Sequence, residues 1–332
     1  MGAGLIQRMA ATRGGSFFVG VDVGGTKILS GLFDRSLNLV AKRKVKTKAS
    51  KGGDIVLERV ELVVRELLKG QGVRLKQVES IGLGVPGVVK RGRVLNAYNV
   101  GWEDVPIKTV LARRLRLPVK VDNDCNLFTL GIHRVELKGK PRSMVGMFLG
   151  TGFGGGLILN GQLYRGHNFA AGEFGQMTID KNGIKTAHSF RGSLESLASR
   201  TGIVRRLRRA VLEGETTLLQ EELGAQLKGV RSRHLRHAIA ARDPLVKRVV
   251  RHVAEDTGIG VAAIVSALGP EYVVLGGGVM EALQKTMLPI IRRTAEQAVL
   301  PGSMSGVKVV TSRLGDDGGI CGAAVLARNG DG

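Results

Sequence analysis

The chain has few of the features that mark secreted or membrane proteins. Its 332 residues include only two cysteines, Cys125 and Cys321, which give no disulfide framework and fit a reducing compartment. No apolar run reaches the about 18 residues that a membrane-spanning helix needs. The first fifteen residues lack the apolar core of a signal peptide. We therefore expect a cytoplasmic protein with no membrane partner, in which residues 1–15 form a mobile leader.

Acidic residues are scarce relative to basic ones. The sequence holds 50 Lys and Arg against 28 Asp and Glu, a net charge of +22, with a dense basic stretch from Arg200 to Arg251. Such a charge suits nucleic acid or polyphosphate as a partner. Charged residues also cover ordinary helix surfaces. We favour solvated helix faces, so no specific nucleic-acid partner is expected.

Of two common nucleotide-binding patterns, one is absent and the other lacks the helix that should follow it. The P-loop pattern GxxxxGK[ST] does not occur. The pattern GxGxxG occurs at 82–87 and at 150–155, but strand-like residues follow each copy. Because a dinucleotide site needs a helix directly after the glycines, these copies do not indicate one.

Glycine, by contrast, is abundant and is concentrated in turns. Two segments read as an apolar strand, a Gly/Thr turn and a second apolar strand: FVGVDVGGTKILSGLF at 18–33 and MVGMFLGTGFGGGLILN at 144–160. Glycine lets backbone N–H groups approach a ligand closely, and consecutive N–H groups form a concave anion site. Two such turns in one chain suggest two halves that grip one polyphosphate.

Strand and helix patterns alternate along the chain, which indicates an α/β fold. Strands are predicted at 17–23, 28–33, 37–45, 80–85, 119–121, 144–160 (a hairpin), 176–179, 272–275 and 307–311. Helices are predicted at 55–68, 107–115, 127–137, 194–212, much of 217–252, 253–268, from about 279, and at 319–328. After the leader we expect a small domain at 16–122 and a large domain at 123–316. The last helix, about 317–329, is expected to pack back on the small domain, and the cleft between the two is the default ligand site.

Three glycine-rich turns are candidates for holding phosphates. Asp22 ends the first strand, where a carboxylate can hold Mg²⁺ through water. A plain hairpin turn is the alternative, but such turns favour Asn-Gly. The glycine run at 276–278 lies between a predicted strand and a predicted helix, where an anion or an adenosine can bind. The alternative is that these glycines only form a tight connection. The candidate residues are Asp22, Gly24, Gly25, Thr26 and Lys27, then Thr151 and Gly152, and then Gly276, Gly277 and Gly278.

A base for phosphoryl transfer to an alcohol is available at the end of another strand. Asn123 and Asp124 offer an amide that can orient a polyol and a carboxylate that can accept its proton. Helix capping is the alternative for both residues. Glu173 and Glu195 are further carboxylates that could accept hydrogen bonds from sugar hydroxyls, or else lie on the surface.

Taken in order, these motifs resemble the ROK family of sugar kinases, within the actin-like, hexokinase-type ATPase superfamily. The resemblance covers about residues 17–328. It rests on DVGGTK at 22–27, GLGVPG at 82–87, NVGW at 99–102, VDNDCN at 121–126, LGTGFGGG at 149–156, GHNFAAGEFG at 166–175, GSLESLAS at 192–199 and VVLGGGV at 273–279. It implies a two-domain actin-like (ribonuclease H-like) fold with the active site in the interdomain cleft, and a homodimer or homotetramer.

The resemblance also implies roles for individual residues. Asp124 would be the catalytic base that takes the proton from the sugar's primary hydroxyl as it attacks the γ-phosphate of ATP. The glycine-rich turns at 24–27 and 151–152 would hold the phosphates of ATP, with Mg²⁺ near Asp22. The run at 276–278 would flank the adenosine. The sugar would be held or lined by Gly84, Pro86, Gly87, Asn99, Asn123, Glu173, Gln176 and Glu195.

The sequence departs from the family at a structural zinc site. Many members hold zinc with a histidine and three cysteines, and that histidine often also touches the sugar. The four positions here are Gln176, Thr186, His188 and Ser193. Structural zinc sites need Cys or His in full tetrahedral number, so we expect no zinc. We expect the loop at 176–195 to be held by packing alone.

The favoured activity is ATP:hexose phosphotransfer, with glucose converted to glucose 6-phosphate, because GHNFAAGEFG resembles the loop of glucokinase members. The alternatives are an N-acetylhexosamine, N-acetylmannosamine or fructose kinase, a polyphosphate-dependent glucokinase, and a sugar-responsive transcriptional regulator. Regulators of this family carry a helix-turn-helix domain before the DxGGTK segment, whose aspartate is residue 22 here.

Overall fold

A computed structural model describes residues 15–186 and 190–330 as thirteen strands and ten α-helices. The strands are β1 Phe17–Val23, β2 Lys27–Phe33, β3 Leu39–Lys46, β4 Val78–Val85, β5 Val88–Lys90, β6 Arg93–Ala97, β7 Trp102–Val105, β8 Val119–Asn123, β9 Met144–Leu149, β10 Phe153–Leu159, β11 Gln162–Leu163, β12 Tyr272–Gly276 and β13 Lys308–Thr311. The helices are α1 Gly53–Gly70, α2 Ile107–Leu115, α3 Asp124–Gly131, α4 Leu194–Ala198, α5 Arg200–Leu212, α6 Leu219–Leu223, α7 Ser232–Ala240, α8 Pro244–Leu268, α9 Gly277–Gln297 and α10 Gly318–Asn329.

These elements form two compact units. Of the described residues, the first unit comprises 15–140, 158–171 and 316–330, and the second comprises 141–157, 172–186 and 190–315. None of the helices in the described ranges combines the length and apolarity needed to span a bilayer.

The first unit is built on a five-stranded sheet in the order β3-β2-β1-β4-β8, with β1, β4 and β8 parallel. Helix α1 presents buried Val and Leu residues at helical spacing to this core. Helix α10 packs on β1 and β4, and nearly all of its residues are buried. A Cβ at Gly20 or Gly82 would lie 2.1 Å from Ile320 O or 1.8 Å from Ala323 O, so the close approach of this helix requires both glycines.

The first unit also contains a three-stranded antiparallel sheet, β5-β6-β7, of which the sequence predicted only the first strand. Its strands are short, and most side chains of β6 and β7 are exposed, so they lack a continuous apolar pattern. Trp102 anchors this sheet: its ring is buried, and its Nε1 donates to Gly53 O at 3.0 Å.

The second unit is built on β10, β9, β12 and β13, which are neighbours in that order in one sheet. Helix α9 packs against β9, β12 and β13, and the long helix α8 packs against α9. Helix α8 begins at an Asp243 cap, whose Oδ1 accepts from Val246 N at 2.8 Å, and ends at Gly269 in the left-handed region. The predicted helix at 253–268 is therefore only the C-terminal part of α8.

Other predicted elements need correction. Residues 176–179 do not form a strand; residues 174–176 form a 3₁₀ turn, and only an isolated bridge joins Thr178 to Ser193. The helix predicted at 194–212 is two helices, because Ser199 caps α5 through its Oγ. The helix predicted at 127–137 begins at Asp124 and ends in a π-helical turn at 132–136.

The prediction that packing alone holds the 176–195 loop is wrong. Gly192 O accepts from Ile179 N at 3.0 Å, and Gly192 N donates to Ile184 O at 2.9 Å. Arg191 also donates to Gly183 O at 3.0 Å. Backbone hydrogen bonds around one glycine therefore fasten the described part of this loop. The predicted leader at 1–15 lies outside the described residues except for Gly15.

Candidate functional site

The predicted site residues of the first unit meet at one edge of its sheet. In the strand register, Asp22 is paired with Gly84, Gly84 with Asp122, and Val85 with Asn123. Because β1, β4 and β8 are parallel, their carboxyl ends share this edge, the usual place for ligands in open α/β sheets. Asn99 lies alongside, since a Cβ at Gly25 would be 3.5 Å from Asn99 O.

Asn123 is the N-cap of α3. Its Oδ1 accepts from Cys125 N at 2.8 Å and from Asn126 N at 3.0 Å, and its Nδ2 donates to Gly87 O at 3.0 Å. The capping alternative therefore holds for this residue. Its amide oxygen is committed to the helix, so only its second N–H can be offered to a ligand.

Asp124 is the first residue of α3 and lies beside Gly84, whose added Cβ would be 3.5 Å from its Cα. Burial raises the pKa of this carboxyl above its usual range, whereas hydrogen bonds from the amide and thiol of Cys125 lower it. A carboxyl whose pKa is raised towards neutrality is a better proton acceptor for an alcohol than an ordinary surface aspartate.

Asp122, two residues earlier, is held by a network that the sequence did not reveal. Its Oδ2 accepts from Arg165 Nε at 2.6 Å, and its Oδ1 accepts from Asn126 Nδ2 at 3.0 Å and from Asn123 N at 2.7 Å. The Asp122 side chain is only 5% exposed, so removing its cationic partner would leave a buried charge. This network fixes the end of β8 and hence the position of Asn123.

The carboxyl of Asp22 is electrostatically coupled to those of two other aspartates. Burial raises its pKa to about 7, with further contributions from Asp124 and Asp316 and an opposing one from Lys27. Lys27 itself forms an ion pair with Asp316. The carboxyls of Asp22 and Asp124 both have raised pKa values, which indicates a place where a cation would relieve the repulsion between them.

The backbone conformation of the turn after Asp22 does not itself explain its two glycines. Neither Gly24 nor Gly25 has a positive φ. A Cβ at these positions would meet Lys27 O at 3.2 Å or Asn99 O at 3.5 Å. The turn is braced by Thr47, whose Oγ1 donates to Gly24 O at 2.6 Å. The fold of this unit therefore does not itself require glycine at position 25, as a ligand lying against the turn would.

These residues fit Mg²⁺ held through water rather than enclosed by protein. Carboxylate oxygens are the ligands that Mg²⁺ prefers, and it usually keeps several waters beside substrate phosphates. Within the described ranges no three His, Cys, Asp or Glu side chains are grouped closely enough to enclose an ion. Asp22 is the residue that would hold it.

In the second unit, the turn between β9 and β10 is fastened to helices α4 and α5. Glu195 Oε2 accepts from Phe153 N at 2.8 Å and occupies the space beside Gly152, where a Cβ would lie 2.4 Å from it. Arg200 donates to Thr151 Oγ1, and Thr201 Oγ1 donates to Thr151 O at 2.8 Å. The predicted sugar ligand Glu195 is thus engaged with the predicted phosphate turn.

A cavity of about 240 Å³ adjoins this turn and is lined in part by Thr151, Glu195 and Arg205. Arg205 Nε is buried and finds no partner among the described residues. A buried cationic donor without an acceptor is costly unless an anion supplies one. Arg205 Nη2 already donates to Ser196 O, and its Nε–H remains a donor for an acceptor such as a phosphate oxygen.

The run at 276–278 lies at the same edge of the second sheet, because β9 and β12 are parallel neighbours. Gly277 has a φ of 84°, and a Cβ there would lie 2.6 Å from Leu149 O, so the connection requires glycine. Gly278 is open apart from Ser232 Oγ at 3.6 Å from its added Cβ. Ser232 Oγ is buried without a partner in the described chain, which leaves a hydroxyl for a nucleoside at this helix start.

The remaining predicted residues lie in the second unit or close to the first sheet edge. Glu173 is exposed and its carbonyl accepts from Gln176 N at 3.0 Å, while Gln176 is half-buried. Pro86 lies in the short connection between β4 and β5. Of the four zinc positions, Ser193 is buried and caps α4, Thr186 lines the cavity beside Glu195, and His188 lies outside the described residues.

Comparison with known proteins decides the family. The ROK family model matches residues 18–330. The chain belongs to the ROK family. It is 34% identical to a glucokinase of Halalkalibacterium halodurans over 316 residues, which cover 94% of this chain and 95% of the relative. It is also 27% identical to a putative xylose repressor of a Caldicellulosiruptor species, covering 93% of this chain and 77% of that protein.

Among solved structures, the chain is similar to a ROK family glucokinase from Streptomyces griseus in complex with glucose and AMPPNP. The TM-score is 0.82 at 30% identity, and the match covers 95% of this chain and all of the other. The two α/β sheets thus form the actin-like ATPase fold, which confirms the predicted fold class. The family contains kinases and repressors, so membership alone does not assign the substrate.

Several residues at these sites were missed by the sequence analysis. Asp316 is 289 residues from Lys27, and Arg165 is 43 residues from Asp122, so no local pattern links them. The pair Asp316-Asp317, between the last strand and a glycine-rich helix start, was a usable signal, since it repeats the strand–carboxylate–glycine order of 22–25. Ser232 and Arg205 carry no such signal.

Proposed function

We propose that this ROK protein is an ATP-dependent hexokinase whose favoured substrate is glucose. The observation that carries the proposal is the grouping of Asp124, with its raised pKa, beside Gly84 and the Asp22–Gly25 turn at one sheet edge. The glucokinase from Halalkalibacterium halodurans and the Streptomyces griseus glucokinase with its bound glucose and AMPPNP support the choice of sugar and nucleotide.

In the proposed mechanism, Asp124 accepts the proton of the sugar's primary hydroxyl as that oxygen attacks the γ-phosphorus of ATP and ADP leaves. Asn123 and Asn99, together with Gly84, Pro86 and Gly87, would position the sugar. Glu173, Gln176 and Glu195 would contact sugar hydroxyls. Positioning and charge neutralisation provide most of the rate in phosphoryl transfer, so these contacts matter as much as the base.

The nucleotide is assigned to the glycine turns. Amides of Gly25, Thr26 and Gly152 would donate to phosphate oxygens, with Lys27 and Thr151 beside them. Gly24 N is already committed to Lys27 O at 2.9 Å, so in this conformation Gly24 serves the turn rather than a phosphate. Gly276, Gly277 and Gly278, with the unpaired Ser232 hydroxyl, would flank the adenosine. Mg²⁺, when bound, neutralises charge on the phosphates.

A substrate screen tests the proposal. Initial rates are measured by a coupled assay with ATP and glucose, fructose, mannose, N-acetylglucosamine and N-acetylmannosamine, and with polyphosphate in place of ATP. We expect the highest kcat/KM with glucose and ATP. A higher value with an N-acetylhexosamine or with polyphosphate would overturn the sugar or the donor. No phosphorylation of any sugar, together with sequence-specific DNA binding that persists at raised salt, would favour the repressor members instead.

A further inference from the structure

A second cavity lies wholly within the first unit and shares no residue with the proposed sugar and nucleotide sites. Its volume is about 340 Å³. Four basic side chains contribute to its lining, those of Arg91, Lys108, Lys120 and Arg165, with Asp122 as the acidic one. The Asp122 carboxylate already accepts hydrogen bonds from Arg165, Asn126 and Asn123.

Two of these cations have no acidic partner. Neither Arg91 nor Lys108 forms an ion pair with any described residue, although many basic side chains elsewhere in the chain do. Lys120 is held by the carbonyl of Ala327, which accepts from its Nζ at 2.6 Å. Positive charges gathered around a concave wall focus their potential into it, which raises the local concentration of small anions.

Arg91 occupies a position that its backbone does not favour. It forms, with Gly92, the two-residue turn between β5 and β6, and the two residues have φ values of 51° and 79°. Positive φ at both positions defines a type I′ turn, for which Asn-Gly is strongly preferred. An arginine here is conformationally costly. The turn therefore has a strained residue, Arg91, whose positive charge lies at the cavity wall.

The start of α2 is fixed to the same turn. Lys108 N donates to Gly92 O at 3.0 Å, and the Lys108 stem covers Gly92, where an added Cβ would lie 2.7 Å from its Cβ and Cδ. The two unpaired cations thus come from neighbouring, mutually anchored segments. Arg165, which lines the same cavity, offers its remaining guanidinium donors, because only its Nε is engaged with Asp122.

We propose that this cavity binds a small phosphate-bearing anion, either free phosphate or a hexose phosphate. Arg91 and Lys108 would supply charge-assisted hydrogen bonds to the phosphate oxygens, with Arg165 as a third donor. The volume accommodates a sugar in addition to the phosphate group. The proposal does not rest on the proposed kinase reaction, so it can be tested whether or not that activity is found.

The test uses three variants of the full chain and isothermal titration calorimetry without ATP or free sugar, at constant ionic strength in chloride. Arg91→Asn removes a charge and installs the residue that the turn prefers, so its thermal stability should not fall. Lys108→Gln removes the second charge. Arg116→Asn is the matched control, since Arg116 is an exposed arginine of the same unit with a φ of 54° that does not line the cavity.

We expect saturable binding of inorganic phosphate or glucose 6-phosphate to the native protein. Arg91→Asn and Lys108→Gln should each raise the Kd about tenfold, and Arg116→Asn should leave it unchanged. If glucose 6-phosphate binds more tightly than inorganic phosphate, the ligand is a hexose phosphate. If inorganic phosphate binds more tightly, the ligand is the free ion. Absence of saturable binding, unchanged Kd in the first two variants, or equal weakening in Arg116→Asn would each overturn the proposal.

Discussion

The two glycine hairpins, β1–β2 and β9–β10, have similar sequences but obtain their polar groups in different ways. In the first, Asp22 lies two residues before Gly24 on the strand itself; in the second, the buried Phe148 lies two residues before Gly150. The charged groups at the second turn come from Glu195 of α4 and Arg200 of α5. The same type of hairpin thus receives its charged groups from its own strand in the first case and from neighbouring helices in the second. A motif search along the sequence finds only the first arrangement.

The largest expected effect is on the base that accompanies the first hairpin. Asp124→Asn should lower kcat by about 10²–10⁴-fold, because the amide cannot accept the hydroxyl proton. ATP binding, measured by calorimetry, should be nearly unchanged, since Asp124 is not assigned to the nucleotide. Near-normal turnover in this variant would remove Asp124 as the base.

A pair of alanine variants compares the two turns directly. Gly152→Ala should lower the free energy of unfolding by about 1–3 kcal/mol, because its Cβ displaces Glu195 from the Phe153 amide. Gly25→Ala should leave stability within about 0.5 kcal/mol, since its Cβ meets only ordinary contacts. Urea unfolding measures both.

The same pair tests whether the first turn holds ATP. We expect Gly25→Ala to raise the KM for ATP about tenfold or more, because the methyl group occupies space assigned to a phosphate. If Gly25→Ala is destabilising and leaves this KM unchanged, the glycine serves the fold and the phosphate assignment is wrong.

A further prediction concerns the charge on the first hairpin in the absence of metal and nucleotide. The pKa of Asp22 is raised from 3.8 to about 7, so the folded state holds a proton that the unfolded state has released over this range. Stability from this group is complete below about pH 3.8 and is lost as the pH rises through 7. Asp22→Asn should therefore melt at a higher temperature than the native protein at pH 8, with a smaller difference at pH 5. An equal difference at both pH values would contradict the shift.

The smallest expected effect comes from the residue beside the base. Hydrogen bonds from the amide and thiol of Cys125 lower the pKa of Asp124. Cys125→Ala removes the thiol, so the acidic limb of the kcat profile should move to higher pH. Cys321→Ala, in the buried helix α10, is the control and should leave the limb in place. Identical profiles for all three proteins would show that the thiol does not tune the base.

Sequence reasoning succeeded where a structural feature depends on neighbouring residues. The β1–β2 hairpin and the Asn123-Asp124 pair at a strand end were predicted because their apolar runs and polar ends are contiguous. It failed where the backbone hydrogen-bonds without an apolar pattern, as in β6 and β7. It also failed where side chains distant in sequence meet, as Arg165 does with Asp122. The prediction that packing alone holds the loop at 176–195 was wrong because backbone groups of Gly192 form its hydrogen bonds. No pattern of side chains in the sequence indicates such bonds.

Helix α10 has a consequence for how the chain folds during synthesis. It fills the face of β1 and β4 that Gly20 and Gly82 leave open, yet the whole of 141–315 is made before it. At typical rates of translation the delay is on the order of ten seconds. Throughout that time the first sheet exposes an apolar face, and by the end of it the second unit has all of its residues whereas the first still lacks α10. The unit that begins first in the sequence is therefore expected to become stable last, and to be the one that depends on chaperones.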